Sequence, residues 1–248
     1  MFERTLNDQP IPILVYHQID VAPSKGAAFR SLYVAPTAFA RQMRLLKLLG
    51  YQGLSLSALM PYLRGERRGK VCGITFDDGY LNNLNHALPV LEAHGFSSTC
   101  YVVSQRLGQT NDWDSDAGIA PVPLMNAEQL SQWIAGGQEL GAHTRHHVHL
   151  PKLSAEQSFQ EIVGCKTELE ALAHAPVQHF CYPYGDFQPS HVEMAKQAGF
   201  LTATTTARAR CQIDNDVWQL PRVPVVRSTT LPVFWLKVVS GYEDRRTA

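Results

Sequence analysis

Neither sign of charge is in excess in this chain: 22 basic and 22 acidic side chains leave its 248 residues formally neutral. That balance removes the electrostatic motive for binding nucleic acid or an anionic bilayer, which both recruit basic surfaces. Long apolar runs are also missing. None approaches the roughly 20 residues needed to cross a bilayer, so no transmembrane segment is expected. Cysteine is scarce, with five residues and none of the paired spacings of a cysteine metal site. Cys72, Cys100 and Cys181 sit in apolar strand-like runs and Cys165 in a helical stretch. They read as free, mostly buried thiols of a reducing compartment. Residues 1–10 are polar and lack the apolar core of an export signal, so the expectation is a cytoplasmic protein. There is no internal repeat and no low-complexity linker. What remains is 45% apolar residues, enough for a sizeable core, in a length that fits one α/β domain over residues 1–248.

Short β-rich runs alternate with helical stretches. The strand candidates are residues 11–16, 70–76, 97–103, 139–142, 179–182 and 201–205, with a further strand at 220–226. Helices are expected over residues 36–49, 57–63, 84–94, 126–135, 154–173 and 189–198. In the first of these, Phe39, Met43, Leu46 and Leu49 repeat near the helical period. Asn126 with Glu128, and Ser154 with Glu156, have the character of helix openings. Alternating βα units imply a parallel sheet with helices outside it, and this length favours a closed or nearly closed barrel. Residues 105–123, rich in Gly, Asp and Pro, read as a long loop of the kind that often carries function.

Three short segments carry chemistry, each at the end of an expected strand. In Thr75-Phe76-Asp77-Asp78-Gly79, two adjacent carboxylates sit where parallel α/β folds place active sites. An isolated Asp-Asp-Gly is more often a plain turn. In His143-Thr144-Arg145-His146-His147, histidines four apart in one helical turn would share a face and reach one ion. His146 and His149 crowd the same stretch, so spacing alone leaves the choice of ligands open. Two histidines and one carboxylate form a hydrolytic zinc set with positions left for water and substrate, and the second carboxylate is then free to act as a base. Cys181-Tyr182-Pro183-Tyr184-Gly185-Asp186 is turn chemistry that can offer a backbone N–H to an oxyanion and a ring to a sugar face.

In this order, residues 71–222 resemble the polysaccharide deacetylases of the NodB-homology type, carbohydrate esterase family 4. The resemblance implies a distorted (β/α) barrel with fewer than eight complete units. Carried over residue by residue, it implies Asp78, His143 and His147 as metal ligands, Asp77 as catalytic base and Tyr184 as the donor of a backbone N–H to the oxyanion. By residue type rather than by this carry-over, Tyr182 is a candidate for binding the sugar. Asp214 and Trp218 are the nearest counterparts of an aspartate and a tryptophan that flank the family's site. Two family features are absent: an arginine that orients the base is replaced by Cys181, and residues 231–239 hold no acid histidine. Both absences fit one subgroup, the circularly permuted poly-N-acetylglucosamine deacetylases, whose acid histidine lies on an N-terminal strand. Ile13-Leu14-Val15-Tyr16-His17 resembles that element, which makes His17 the candidate acid and Arg222 the candidate replacement for the arginine. The implied activity is removal of acetyl groups from N-acetylated sugars, a saccharide substrate being the only partner implied. Zn²⁺ is favoured, and the mixed nitrogen and oxygen set also admits Co²⁺ or Ni²⁺. The competing readings are a hydrolase of a small amide or cyclic imide on the same scaffold, a non-catalytic carbohydrate-binding protein, and a histidine-rich metal carrier. Trp113, Tyr182 and Tyr184 are the aromatics a sugar groove would expose.

Overall fold

Parallel strands buried on both faces need near-continuous apolar sequence, and Val71–Phe76 (β5) supplies it, all six residues being buried. In the computed structural model, which describes residues 9–246, β5 is the hub of a closed parallel barrel. Residues 1–8, most of the polar stretch behind the export reading, lie outside the described residues. Ahead of β5 come Ile13–Tyr16 (β1), Gln18–Ile19 (β2), Tyr33–Val34 (β3), Pro36–Leu48 (α1), Gln52–Leu54 (β4) and Leu56–Leu63 (α2). After it come Leu81–His86 (α3), Leu88–His94 (α4), Thr99–Val102 (β6), Ala127–Ala135 (α5), Glu139–Ala142 (β7) and Ala155–Ala173 (α6). The chain continues through His179–Cys181 (β8), Pro189–Gln197 (α7), Thr202–Arg208 (β9), Leu220–Pro224 (β10) and Leu231–Val239 (α8).

Seven strands close in the order β1-β10-β9-β8-β7-β6-β5, with β5 pairing back to β1. The barrel therefore has seven staves, and the strand nearest the N-terminus shuts it between β10 and β5. The eighth strand, β4, pairs only with the first half of β5, at Val71, Cys72 and Gly73. It fits there because Gly53 has no side chain. A Cβ at Gly53 would come within 2.5 Å of the Ile74 side chain and 2.8 Å of the Phe96 ring. Below it α2, opened by a Ser55 hydroxyl that accepts from Ala58 N–H, turns Leu56, Leu59 and Leu63 against Ile13, Val71 and Leu220. That cluster seals the amino-terminal end of the barrel. The larger cluster, centred on Phe39, Phe76, Trp133, Phe180 and Phe234, fills the space between barrel and helices.

The expected elements are present with revised ends. The helix expected over 84–94 is two helices, α3 and α4, because Pro89 has no N–H to donate and its ring crowds the preceding turn. The caps at Asn126 and Ser154 are full capping boxes, closed by Gln129 and Gln157. The short strands β2, β3 and β4 carry too few residues to show a period. All five cysteines are buried and free. Among the described residues, no helix is long and apolar enough to cross a membrane.

Candidate active site

Strand register brings the chemical residues together at the carboxyl end of the barrel, where parallel barrels place their active sites. Tyr16 of β1 is abreast of Phe76 of β5, so the residues that follow them, His17 and Asp77, are neighbours. Asp77 N–H donates to the Tyr16 carbonyl at 3.0 Å, and His17 Nε2 lies 3.9 Å from Asp77 Oδ2. Val102 is abreast of Ala142, and His143 N–H donates to the Val102 carbonyl at 3.0 Å. One strand further, Ala142 meets Phe180, which sets the His143 ring beside the Cys181 carbonyl.

Asp78 Oδ1 lies 3.4 Å from His143 Nε2 and 3.3 Å from His147 Nε2. A carbonyl can only accept, so the 2.8 Å contact between His143 Nδ1 and the Cys181 carbonyl puts a proton on Nδ1 and turns Nε2 towards Asp78. Asp78 Oδ1 and the two ring Nε2 atoms thus crowd together in a buried pocket. Asp78 Oδ1 and His147 Nδ1 are buried and make no hydrogen bond. A divalent cation between these atoms relieves that crowding, and a second ring nitrogen fixed on a backbone carbonyl is the usual support of a ligating histidine. The three residues fit a metal by atom type, convergence and unmet demand.

The histidines do not converge through a helical turn, as their spacing suggested. Residues 143–147 form an irregular loop in which Thr144 has φ 63° and His147 φ 57°. The Thr144 hydroxyl accepts from His147 N–H at 3.0 Å and closes the turn. Asp78 (φ 75°) and Tyr184 (φ 60°) are left-handed too. Non-glycine residues in that region cost of order 1–3 kcal/mol each and gather where a site holds them. Of the six in the described chain, Asp78, His147, Tyr184 and Phe29 line one cleft, and Thr144 belongs to the loop that carries His143 and His147.

Asp77 is gripped by Arg222, which donates from Nη1 to Oδ1 at 2.7 Å and from Nη2 to Oδ2 at 2.8 Å. The same guanidinium donates to the Thr205 carbonyl (2.9 Å), to Thr75 Oγ1 (3.2 Å) and to Cys181 Sγ (3.2 Å). Burial opposes ionisation of Asp77, but Arg222 overcomes it and holds the carboxyl below its usual range. For Asp78 burial is likewise outweighed, by the His143 and His147 rings beside it, and the carboxyl stays well below its usual range. Burial depresses His147, whereas at His143 the interactions with Cys181 and then Asp78 outweigh burial and push it up.

Tyr184 sits in a tight 3₁₀ turn, Pro183–Gly185, early enough that its N–H has no acceptor within the turn. Its hydroxyl donates to Asp114 Oδ1 at 3.1 Å, and its ring stacks on His149 at 3.8 Å. Gly185 is obligatory: φ is 69°, and a Cβ would stand 1.9 Å from the Thr206 hydroxyl. Trp113 stacks on the His147 ring at 4.5 Å.

These groups line a cleft of about 890 Å³, part of it open to solvent. One wall is apolar, built by Ala28, Phe29, Leu32 and Ile119. His17, Asp77, Asp78, His143, His147, Tyr184 and Arg222, all named from sequence, meet here. Tyr182 also borders the cleft, but as buried wall: its ring stacks on Phe187 at 4.4 Å and its hydroxyl donates to the Trp218 carbonyl. Asp214 and Trp218 are not brought to the cleft. The connection from β9 to β10 has no helix and returns to the amino-terminal end of the barrel. There Val217 pairs with Ala203, and Trp218 Nε1 donates to the Phe200 carbonyl; Asp214 is exposed. Sequence reasoning missed Asn111, Asp114 and Phe29. The first two lie in the aperiodic 105–123 loop, which was flagged as a whole, and Phe29 lies in a segment with no pattern at all.

Comparison with known proteins agrees with this geometry. A family model described as polysaccharide deacetylase matches residues 64–203. The Bacillus subtilis protein YxkH is 27% identical over 224 residues, which cover 90% of this chain and 74% of that protein. A Staphylococcus epidermidis poly-β-1,6-N-acetyl-D-glucosamine N-deacetylase is 22% identical over 214 residues, covering 82% of this chain and 71% of that one. Among solved structures, the Streptococcus pyogenes deacetylase PplD, in complex with acetate, superposes with a TM-score of 0.81 at 23% identity, covering 94% of this chain and 99% of the other.

Proposed function

The chain belongs to the polysaccharide deacetylase family, and we propose that its cleft is a metal-dependent N-deacetylase site for N-acetylated sugar units of a polysaccharide or its precursor. One observation carries the reading. An ionised, arginine-held carboxylate, Asp77, stands between a candidate metal triad and a histidine, His17, in one open cleft.

Asp78, His143 and His147 would hold the metal, with Zn²⁺ preferred and Co²⁺ or Ni²⁺ admitted. When bound, the ion would supply Lewis-acid polarisation of the acetamide carbonyl and a more acidic water. Asp77, kept ionised and aimed by Arg222, takes a proton from the water as its oxygen attacks the carbonyl carbon. Tyr184 donates its backbone N–H to the oxygen that gains charge. His17 Nε2 gives a proton to the amide nitrogen as the C–N bond breaks, leaving acetate and a free amino sugar. Trp113 and the Ala28 to Leu32 wall border the cleft in which this chemistry takes place.

The open mouth of the cleft favours a sugar unit of a longer chain over a small amide or imide. A purely binding role is disfavoured because base, aiming arginine, candidate ligands and acid all face one space. The test is metal removal. Dialysis against a chelator should abolish acetate release from N-acetylglucosamine oligomers, and one equivalent of Zn²⁺ should restore it in the wild type but not in Asp78→Asn. Undiminished release by the metal-free protein would end the metal-dependent reading.

A further inference from the structure

The loop that joins His143 to His147 is held from outside on two sides, by the backbone at Ser104 and Gln105 and by the helix α6. Its carbonyls are satisfied by backbone: Thr144 O accepts from Ser104 N–H at 3.4 Å and Arg145 O from Gln105 N–H at 2.9 Å. The N–H groups of Arg145 and His146 instead both donate to one side-chain oxygen, Glu161 Oε2, at 2.8 and 3.0 Å. The other oxygen, Oε1, accepts from His146 Nδ1 at 2.6 Å. Glu161 is 9% exposed, so these bonds form away from competing water. Two helical turns on, Glu168 extends the clamp and accepts from Arg145 Nε at 2.9 Å and Ser104 Oγ at 2.5 Å. The helix that carries both residues, α6, is anchored by its Ser154–Gln157 capping box.

We infer that Glu161 is a positioning residue for the metal site, one that fixes the spacing of His143 and His147 without touching the ion. Thr144 and His147 both hold backbone conformations that side chains disfavour, so the loop relaxes unless something outside it makes up the cost. The Thr144 hydroxyl acts only within the loop. Glu161 ties the middle of the loop to a rigid helix and leaves His146, which sequence spacing admitted as a ligand, as a partner of Glu161 instead. Supports of this kind typically alter metal affinity by 10–100-fold when removed. The inference rests on the metal reading of Asp78, His143 and His147.

The experiment uses the full chain stripped of metal. Zn²⁺ affinity is measured by competition with a chromophoric chelator, the Co²⁺ complex by its visible absorption, and the apo fold by thermal unfolding in EDTA. Glu161→Ala should weaken Zn²⁺ binding by roughly 10–100-fold and change the Co²⁺ bands. Glu161→Gln, whose amide oxygen still accepts from both N–H groups, should stay close to wild type, and so should His146→Ala. Should the alanine variant fail to fold, Glu161→Asp decides: one methylene shorter, it should bind Zn²⁺ more weakly than the glutamine variant. Wild-type affinity and Co²⁺ bands in Glu161→Ala, or in Glu161→Asp in its place, overturn the inference alone. Equal weakening of Glu161→Gln and Glu161→Ala overturns it as well. A wild-type chain that binds no ion overturns this inference together with the metal reading beneath it.

Discussion

Replacing Arg222 by methionine is the most informative single perturbation of the barrel interior. Arg222 is 2% exposed and Asp77 4%, and two charge-assisted bonds of 2.7 and 2.8 Å join them. Methionine keeps much of the volume but leaves Asp77 as a buried carboxylate without a counter-charge. Breaking a buried pair from one side costs about 3–5 kcal/mol. At roughly 2–4 °C per kcal/mol for a chain of this size, Tm should fall by about 6–20 °C. Asp77 would then favour its protonated form and could no longer accept a proton, so kcat should drop by about 10²–10⁴. The decisive assay is a double-mutant cycle, run by thermal unfolding in EDTA so that metal binding does not contribute. Asp77→Asn removes the stranded charge, so the Arg222→Met/Asp77→Asn protein should be more stable than Arg222→Met alone, with a coupling of at least about 1–3 kcal/mol. Purely additive losses, or a Tm unchanged by Arg222→Met, would refute the reasoning.

Two other predictions follow from the same geometry. His17→Asn should lower kcat by roughly 10²–10⁴ while the chain still binds Zn²⁺, because His17 pairs with Asp77 and is not one of the proposed ligands; loss of metal in the variant would contradict its assignment as acid. At the opposite end of the barrel Glu139, despite its burial, is pushed down to about 2 by His179 and the Ser57 and Thr99 hydroxyls. Its folded pKa lies below the usual value near 4.3, so its contribution to stability is full above that value and is lost as pH falls towards 2. Glu139→Gln should therefore lower Tm at pH 7 and flatten its decline between about pH 4.3 and 2, the range set by those two pKa values. A variant that tracks wild type throughout would show the carboxylate to be idle.

The site was legible in sequence where chemistry sits at strand ends. Asp77, Asp78 and His143 directly follow apolar runs, and parallel strands put such positions on one rim whatever the register. His17 needed one further step, that residues 13–16 form a strand of the same barrel, and the β1–β5 pairing supplies it. Arg222 lies mid-strand and reaches Asp77 through the barrel interior, across 145 residues of chain, a relation no local pattern encodes. Tyr182 was read by residue type as a sugar platform, yet its ring is taken by Phe187. Asp214 and Trp218 matched a motif only loosely, and the helix-free β9–β10 connection carries them to the wrong end. The apolar wall around Phe29 has neither period nor motif, so only tertiary packing reveals it. Glu161 looked like any acidic residue on an amphipathic helix until the backbone N–H groups of the histidine loop were seen to converge on it.

The most direct test of the account is acetate release from N-acetylglucosamine oligomers by zinc-loaded protein, compared with a zinc-loaded Asp77→Asn variant. Acetate and free amine should appear in equal amounts with the wild type and fall by about 10²–10⁴ with the variant. No release from a wild type that holds its zinc, or equal release from both proteins, would contradict the assignment of this cleft as an N-deacetylase with Asp77 as its base.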